Sequence, residues 1–158
     1  MKLRCGTPQD LEAVLNLFVR SIREVACADY TGPQLDAWAA SAENRDRWRA
    51  MLTGETGLRF FLAEQDSVLC GFGSFLRSEE LLDHLYVSPD FQRRGAAALL
   101  SGQIEALAQR ESCTALYTEA SLTARGFFER RGYQVLREQQ VERQGQLLTN
   151  FVMQKKFR

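Results

Sequence analysis

The sequence predicts a mixed α/β (α+β) domain in which helices gather at the N-terminus and strands dominate the rest. Three observations carry that prediction. Leu11, Val14, Leu15, Phe18, Ile22 and Val25 recur at helical spacing and make one apolar stripe. From Leu58 onward, short runs rich in aromatic and branched residues alternate with turn signals, as strands do. Between them a strand passes through a polar loop into a helix that opens on Gly95 and three alanines. The predicted order is β-ααα-βββ-α-β-α-ββ, a twisted sheet of seven strands closed by a C-terminal hairpin.

The elements follow one by one. Lys2 to Cys5 forms a short first strand. Thr7-Pro8-Gln9-Asp10 is a helix start, with Thr7 as cap, Pro8 at the first position and Asp10 completing a capping box. Thr31-Gly32-Pro33 ends that helix and begins another carrying Leu35 and Trp38; a third covers Asp46 to Leu52 and stops near Gly54. Leu58 to Glu64 and Val68 to Phe75 pair through Gln65-Asp66-Ser67, and Leu81 to Val87 is a further strand. Ser88 to Arg94 is a loop, and the helix opened by Gly95 runs to Arg110. Ala115 to Glu119 is a fifth strand, Thr123 to Arg131 a helix stopped by Gly132. Tyr133 to Val141 and Gln146 to Gln154 form the hairpin around Arg143-Gln144-Gly145.

Length and composition bound the function. A chain of 158 residues, 45% hydrophobic and 25% charged, is one domain over residues 1–158 that needs neither disulfides nor a structural metal. Lys+Arg 20 balances Asp+Glu 20, which argues against a nucleic-acid coat or an anionic membrane surface as partner. No run reaches the roughly 20 apolar residues of a membrane span, and Met1 to Gly6 does not read as a signal peptide. Cys5, Cys27, Cys70 and Cys113 have no metal-binding or redox spacing and are expected to be reduced, buried and inert, which fits a cytoplasmic protein.

The chemistry is expected where Leu85-Tyr86-Val87-Ser88-Pro89 leads into Gln92-Arg93-Arg94-Gly95-Ala96-Ala97-Ala98. The first turn of a helix has unpaired N–H groups and partial positive charge, and small residues there let a pyrophosphate approach the backbone. Arg93 and Arg94 add charge-assisted donors. The run is neither a Walker loop nor a Rossmann glycine motif. It resembles the Gln/Arg-x-x-Gly-x-Gly/Ala signature of the GNAT superfamily of N-acetyltransferases, with Ala97 at the last small position. The resemblance extends to Asp10, to Gly71-Phe72, and to Phe127-Phe128-Glu129-Arg130-Arg131-Gly132-Tyr133. The Tyr30 to Trp48 region and Leu148-Thr149-Asn150-Phe151 resemble the bacterial YafP-like branch.

The resemblance implies the GNAT fold and acetyl-CoA as co-substrate, with no metal. It implies that Leu85, Tyr86 and Val87 pair by backbone with the pantetheine arm and that Gln92, Arg93, Arg94, Gly95, Ala96, Ala97 and Ala98 hold the pyrophosphate. It implies direct attack by a small-molecule or protein amine in a ternary complex, with a backbone N–H near Tyr86 and Val87 receiving the oxyanion. Dimers are common in such families, and the edge of the last hairpin is a contact for a homodimer by that analogy. Two positions depart from the pattern: Phe128 stands where many members carry a tyrosine acid, and Ser121 where many carry an asparagine against the pantetheine arm. Another group, or solvent, then protonates the leaving thiolate.

For the base, Asp83 and His84 on the fourth strand are expected on opposite faces by strand alternation. His84 is the sole histidine and titrates near neutrality. Tyr117 and Glu119 share a face of the fifth strand. One of Asp83, His84 and Glu119 is expected to assist deprotonation, with Tyr117 and Tyr30 as candidate substrate contacts. Trp38, Trp48, Phe60 and Phe61 are expected in the core, with the mouth of the amine cleft as the second reading for Trp38. A different class remains open: an acyl-CoA-binding or sensor module that has lost catalysis, favoured by Phe128.

Overall fold

The computed structural model describes residues 1–158 and holds the predicted order of elements. These are β1 (Lys2–Cys5), α1 (Leu11–Glu24), α2 (Gly32–Ala39), α3 (Arg45–Thr53), β2 (Leu58–Gln65), β3 (Val68–Leu76), β4 (Leu81–Val87), α4 (Ala96–Arg110), β5 (Ala115–Ser121), α5 (Arg125–Arg130), β6 (Gln134–Arg143) and β7 (Gln146–Lys156). The start signals act locally. The Asp10 carboxylate accepts the Thr7 N–H at 2.8 Å, but Pro8–Asp10 is one 3-10 turn and the α-helix proper begins at Leu11. Thr31 Oγ1 accepts the Gln34 N–H while Gln34 Oε1 accepts the Thr31 N–H, a reciprocal capping box at α2. Gly54, at φ 87°, ends α3 in the left-handed conformation.

The strands form one mixed seven-stranded sheet in the order β1-β2-β3-β4-β5-β7-β6. All neighbours are antiparallel except β4 and β5, which run parallel. Alternation along each strand feeds two cores. Phe60, Leu62 and Phe72 join α1, α2 and α3 on one face through Val14, Phe18, Ile22, Leu35 and Trp48. Phe61, Ala63, Phe75 and Leu82 join α4 and α5 on the other through Leu100, Ile104, Ala108 and Phe128. The adjacent Phe60 and Phe61 thus serve opposite cores, as a strand's period of two requires. Gly71 lets α4 close on the sheet: a Cβ there would lie 2.9 Å from the Tyr86 carbonyl oxygen and 3.2 Å from Leu100 Cδ1.

Two expectations are corrected. Cys70 and Cys113 are buried, but Cys5 and Cys27 are exposed. Cys5 sits on the edge strand β1, which is largely solvent-facing, and Cys27 lies in the 3-10 turn after α1 has ended its buried stripe. Asp83 and His84 do not point to opposite faces. Ser74 of β3 pairs with His84 and Phe75 pairs with Leu82, so Asp83 is an extra residue, a β-bulge. The bulge resets the alternation and turns Asp83 toward His84, leaving Asp83 Oδ2 3.5 Å from His84 Nδ1. No helix is long and apolar enough to cross a membrane.

Candidate functional site

The sheet opens at its centre. β4 and β5 pair only through Leu81 with Tyr117 and Leu82 with Thr118, locked by the Thr118 hydroxyl donating to the Leu82 carbonyl at 2.9 Å. Beyond Leu82 the two strands part, and a cleft of about 1050 Å³ fills the gap. Its walls come from both faces of the sheet: α1, α2 and α3 on one side, the N-terminus of α4 and the α5 segment on the other. The Ser88 N–H donates to the Cys70 carbonyl, so the alternation of an antiparallel ladder turns the polar backbone groups of Tyr86 toward β3. Those of Leu85 and Val87 therefore face the gap. Of these, the Val87 carbonyl accepts the Gln92 side-chain amide at 3.0 Å.

The loop between β4 and α4 gathers backbone donors. Arg93 (φ 61°) and Gly95 (φ 90°) both adopt the left-handed conformation, curling the chain so that consecutive N–H groups converge. At residue 95 glycine takes this conformation without the penalty a Cβ would add. The first intrahelical bond of α4 runs from the Leu99 N–H to the Gly95 carbonyl, leaving the N–H groups of Ala96, Ala97 and Ala98 without a helical partner. Gln92 also donates to the Ser88 carbonyl at 3.2 Å, so its side chain braces the loop. The two arginines separate: Arg93 lines the cleft, while Arg94 lies outside it with its guanidinium over the Phe91 ring at 5.3 Å.

At the other end, Asp83, His84 and Tyr86 meet a cage of rings. The His84 ring lies 5.3 Å from Trp48 and 5.4 Å from Phe60, with Tyr86 against Phe18 at 4.9 Å. Ser74 Oγ accepts the His84 N–H and sits 2.6 Å from His84 Nδ1, fixing the imidazole. Burial among these rings lowers the His84 pKa below its ordinary value; the Asp83 carboxylate opposes that effect and the Arg47 charge adds to it. Burial pushes the Tyr86 phenol up to about 12.

The remaining predicted residues divide. Glu119 lines the cleft, its Oε1 accepting from Gln139 Nε2 at 2.9 Å. Tyr117 does not; its hydroxyl accepts from Gln154 Nε2 on the neighbouring strand. Tyr30 is 8% exposed. Its hydroxyl donates to the Thr149 carbonyl at 2.7 Å and accepts the Leu122 N–H at 2.9 Å, joining the N-terminal layer to β7 and to the end of β5. Phe128 borders the cleft but is buried against Phe127 and Tyr133. Ser121 Oγ accepts the Ala124 N–H at 3.0 Å.

Several cleft residues depart from the leading expectation or were not singled out. Trp38, expected in the core, is half-buried and lines the cleft, because α2 leans over Tyr86 rather than sealing a helical hairpin. Arg47 and Arg143 also line it, one from the polar side of α3 and one from the hairpin end of β6. Asn150 sits directly opposite Ser121 across the β5–β7 ladder, and its Oδ1 is buried with no hydrogen-bond partner. An asparagine amide thus stands beside residue 121 on the adjacent strand. Only strand pairing reveals it.

Comparison with known proteins agrees with this architecture. The family model described as acetyltransferase (GNAT) domain matches residues 26–156. An uncharacterised N-acetyltransferase of Escherichia coli K12, YafP, is 34% identical over 156 residues, covering 99% of this chain and 96% of that protein. The crystal structure of a GCN5-related N-acetyltransferase from Rhodopseudomonas palustris superposes with a TM-score of 0.93 at 32% identity, covering 99% of this chain and 95% of that one. The PaiA N-acetyltransferase of Thermoplasma acidophilum, solved with coenzyme A, shares the fold at a TM-score of 0.78 and 17% identity, over 99% of this chain and 100% of its own. The chain belongs to the GNAT family of acetyltransferases.

Proposed function

We propose that residues 1–158 act as one N-acetyltransferase domain that moves the acetyl group of acetyl-CoA to a primary amine by direct attack in a ternary complex. The observation that carries this reading is the continuous cleft from the unpaired N–H groups of Ala96 to Ala98, past the free backbone edge of β4, to Asp83 and His84. The chain's own polar inventory fits the co-substrate. The curled Arg93–Gly95 loop and the α4 N-terminus suit a pyrophosphate. The Leu85 and Val87 main chain and the orphaned Asn150 Oδ1 suit the amides of a pantetheine arm. The relative solved with coenzyme A supports the same ligand class.

Acetyl-CoA supplies an activated thioester. The amine nitrogen attacks its carbonyl carbon, a C–N bond forms as the C–S bond breaks, the ammonium proton passes to a base, and the thiolate leaves to be protonated. His84 is suited to the base role: its lowered pKa keeps it neutral at pH 7, and the Ser74 hydroxyl fixes its ring. Asp83 accepts an N–H of the incoming neutral amine and orients it. Glu119, at the β5 wall, is the alternative base. A Leu85 or Val87 N–H facing the gap receives the developing oxyanion. Phe128 has no proton to give, so the thiolate, with a conjugate acid near pKa ~8.5, takes one from solvent.

Titration of the protein with acetyl-CoA, followed by thermal shift and calorimetry, tests the reading. At ~100 times its dissociation constant the ligand should stabilise by about 2.7 kcal/mol. Arg93→Ala, which keeps a non-glycine residue at the same φ, should weaken binding about tenfold or more, and Arg94→Ala far less. Binding without thiol release on any amine would instead favour the non-catalytic acyl-CoA-binding module, the reading that the buried Phe128 supports.

A further inference from the structure

The arginines of this protein are not distributed like ordinary surface charges. Most of those outside the cleft pair with a carboxylate: Arg4 with Asp10 and Glu64, Arg20 with Glu24 and Asp90, Arg59 with Glu111, Arg131 with Glu105. The four that line the cleft, Arg47, Arg93, Arg130 and Arg143, form no salt bridge at all. Arg93 belongs to the pyrophosphate loop and Arg130 to α5 on the same side of the sheet. Arg47 and Arg143 come from α3 and from the end of β6, on the opposite side.

These two arginines line the same cleft as His84 and Tyr86. The charge of Arg47 is felt at His84 and that of Arg143 at Tyr86, whose rings are 6.3 Å apart. Around them the walls are aromatic, with Phe18, Trp38 and Trp48 in the same ring cluster. The acids at this end are Asp83, which faces His84, and Glu119, which is engaged by Gln139. The acceptor end therefore offers one carboxylate beside the base, two unpaired cations, and aromatic walls. A polyamine would place further positive charge against Arg47 and Arg143. An amine that carries its own anion would satisfy all three features, since a carboxylate accepts a guanidinium's paired donors in plane.

We infer that the acceptor is a carboxylate-bearing primary amine with an aromatic-sized apolar body, its amine at Asp83 and His84, its carboxylate on Arg47 and Arg143, and its body against Trp38 and Phe18. The inference rests on the acetyl-CoA reading above. It extends that reading by naming which amines the cleft selects.

The test uses the full chain and three matched acceptors: phenylalanine, phenylethylamine (the same amine without the carboxylate) and phenylalaninamide (the same body with the charge removed), with spermidine as a cationic counterpart. Acetyl-CoA binding is measured first, by calorimetry, on the wild type, Arg47→Gln and Arg143→Gln. Thiol release then gives kcat/KM for each amine. We expect phenylalanine to exceed phenylethylamine and phenylalaninamide by ~10-fold or more, the scale of one lost charge-assisted contact. Each Gln variant should shrink that ratio through KM for phenylalanine, with acetyl-CoA affinity as in the wild type. Preference for spermidine or phenylethylamine would overturn the inference, as would bound acetyl-CoA with no turnover of any of the four. Loss of acetyl-CoA affinity in the Gln variants would reassign both arginines to the co-substrate. Failure of the wild type to bind acetyl-CoA would sink the reading on which the inference stands, and that result is visible before any amine is added.

Discussion

Tyr30 offers the clearest separation between holding the cleft together and touching its ligand. Tyr30→Phe keeps the ring that packs edge-on to Trp38 at 5.4 Å and removes only the hydroxyl. That hydroxyl is shared between the Thr149 carbonyl on β7 and the Leu122 N–H in the turn after β5. Each hydrogen bond contributes about 0.5–1.5 kcal/mol net, and both partners lie in part-buried surroundings where water replaces the hydroxyl poorly. The loss should therefore be about 1–3 kcal/mol. In a domain of this size 1 kcal/mol shifts the midpoint by about 2–4 °C, so Tm should fall by roughly 4–8 °C at the centre of that range. Thermal unfolding followed by circular dichroism, checked by urea unfolding with an unchanged m-value, measures it. Acetyl-CoA affinity should weaken a few-fold as well, because Leu122 lies between Ser121 and Thr123, both on the cleft wall. A Tm within about 1 °C of wild type, combined with a raised KM for the amine, would refute the clasp and make Tyr30 a substrate contact.

Asn150→Ala should leave Tm within about 1 °C of wild type or raise it, since the buried Oδ1 has no protein partner to lose, yet weaken acetyl-CoA binding several-fold by calorimetry. Glu105 is raised in pKa by burial but brought below its ordinary value by hydrogen bonds from Arg131 and Tyr133 and by the Arg131 and Lys155 charges. Its contribution is thus complete above the unfolded carboxylate pKa of about 4.3 and lost as pH falls through the lower folded value. Glu105→Gln should cost about 3 kcal/mol at pH 7, the low end for a broken buried pair because Arg131 and Lys155 retain some water, and the urea midpoints of mutant and wild type should converge in acid. The sole histidine can be followed by proton NMR without assignment. Its imidazole should titrate below about 6.5, and Asp83→Asn should lower it further by removing the one charge that favours protonation. Because the unfolded chain takes up that proton first, stability should decline as pH falls from about 6.5. A His84 resonance titrating at or above the ordinary value would contradict the buried, neutral base.

What was legible in the sequence is what local spacing encodes. The apolar stripe from Leu11 to Ile22 became the buried face of α1, and the Gly95-Ala96-Ala97-Ala98 start became an unobstructed helix N-terminus. What was not legible depends on partners far along the chain. Which of Arg93 and Arg94 enters the cleft is decided by the left-handed turn at Arg93 and by Phe91, which holds Arg94 outside. Trp38 carries the composition of a core residue, and only the approach of α2 to Tyr86 turns it into cleft wall. Arg47 and Arg143 look in sequence like any solvated cation. Their meaning lies in having no carboxylate beside them, a property of the folded surface alone.

The bulge at Asp83 and the parting of β4 from β5 fall at the same place, and one follows from the other. A bulge bends its strand and increases the local twist. With Asp83 inserted opposite Ser74, the chain beyond Leu82 stays paired with β3 in a register shifted by one residue but swings away from β5, whose last parallel partner is Thr118. That swing frees the Leu85 and Val87 backbone groups that an uninterrupted parallel ladder would have paired. The same extra residue brings a carboxylate beside the imidazole. Parting the two strands and setting a carboxylate beside the imidazole are therefore one structural event, written in the sequence as a single residue that breaks the alternation between Leu82 and His84.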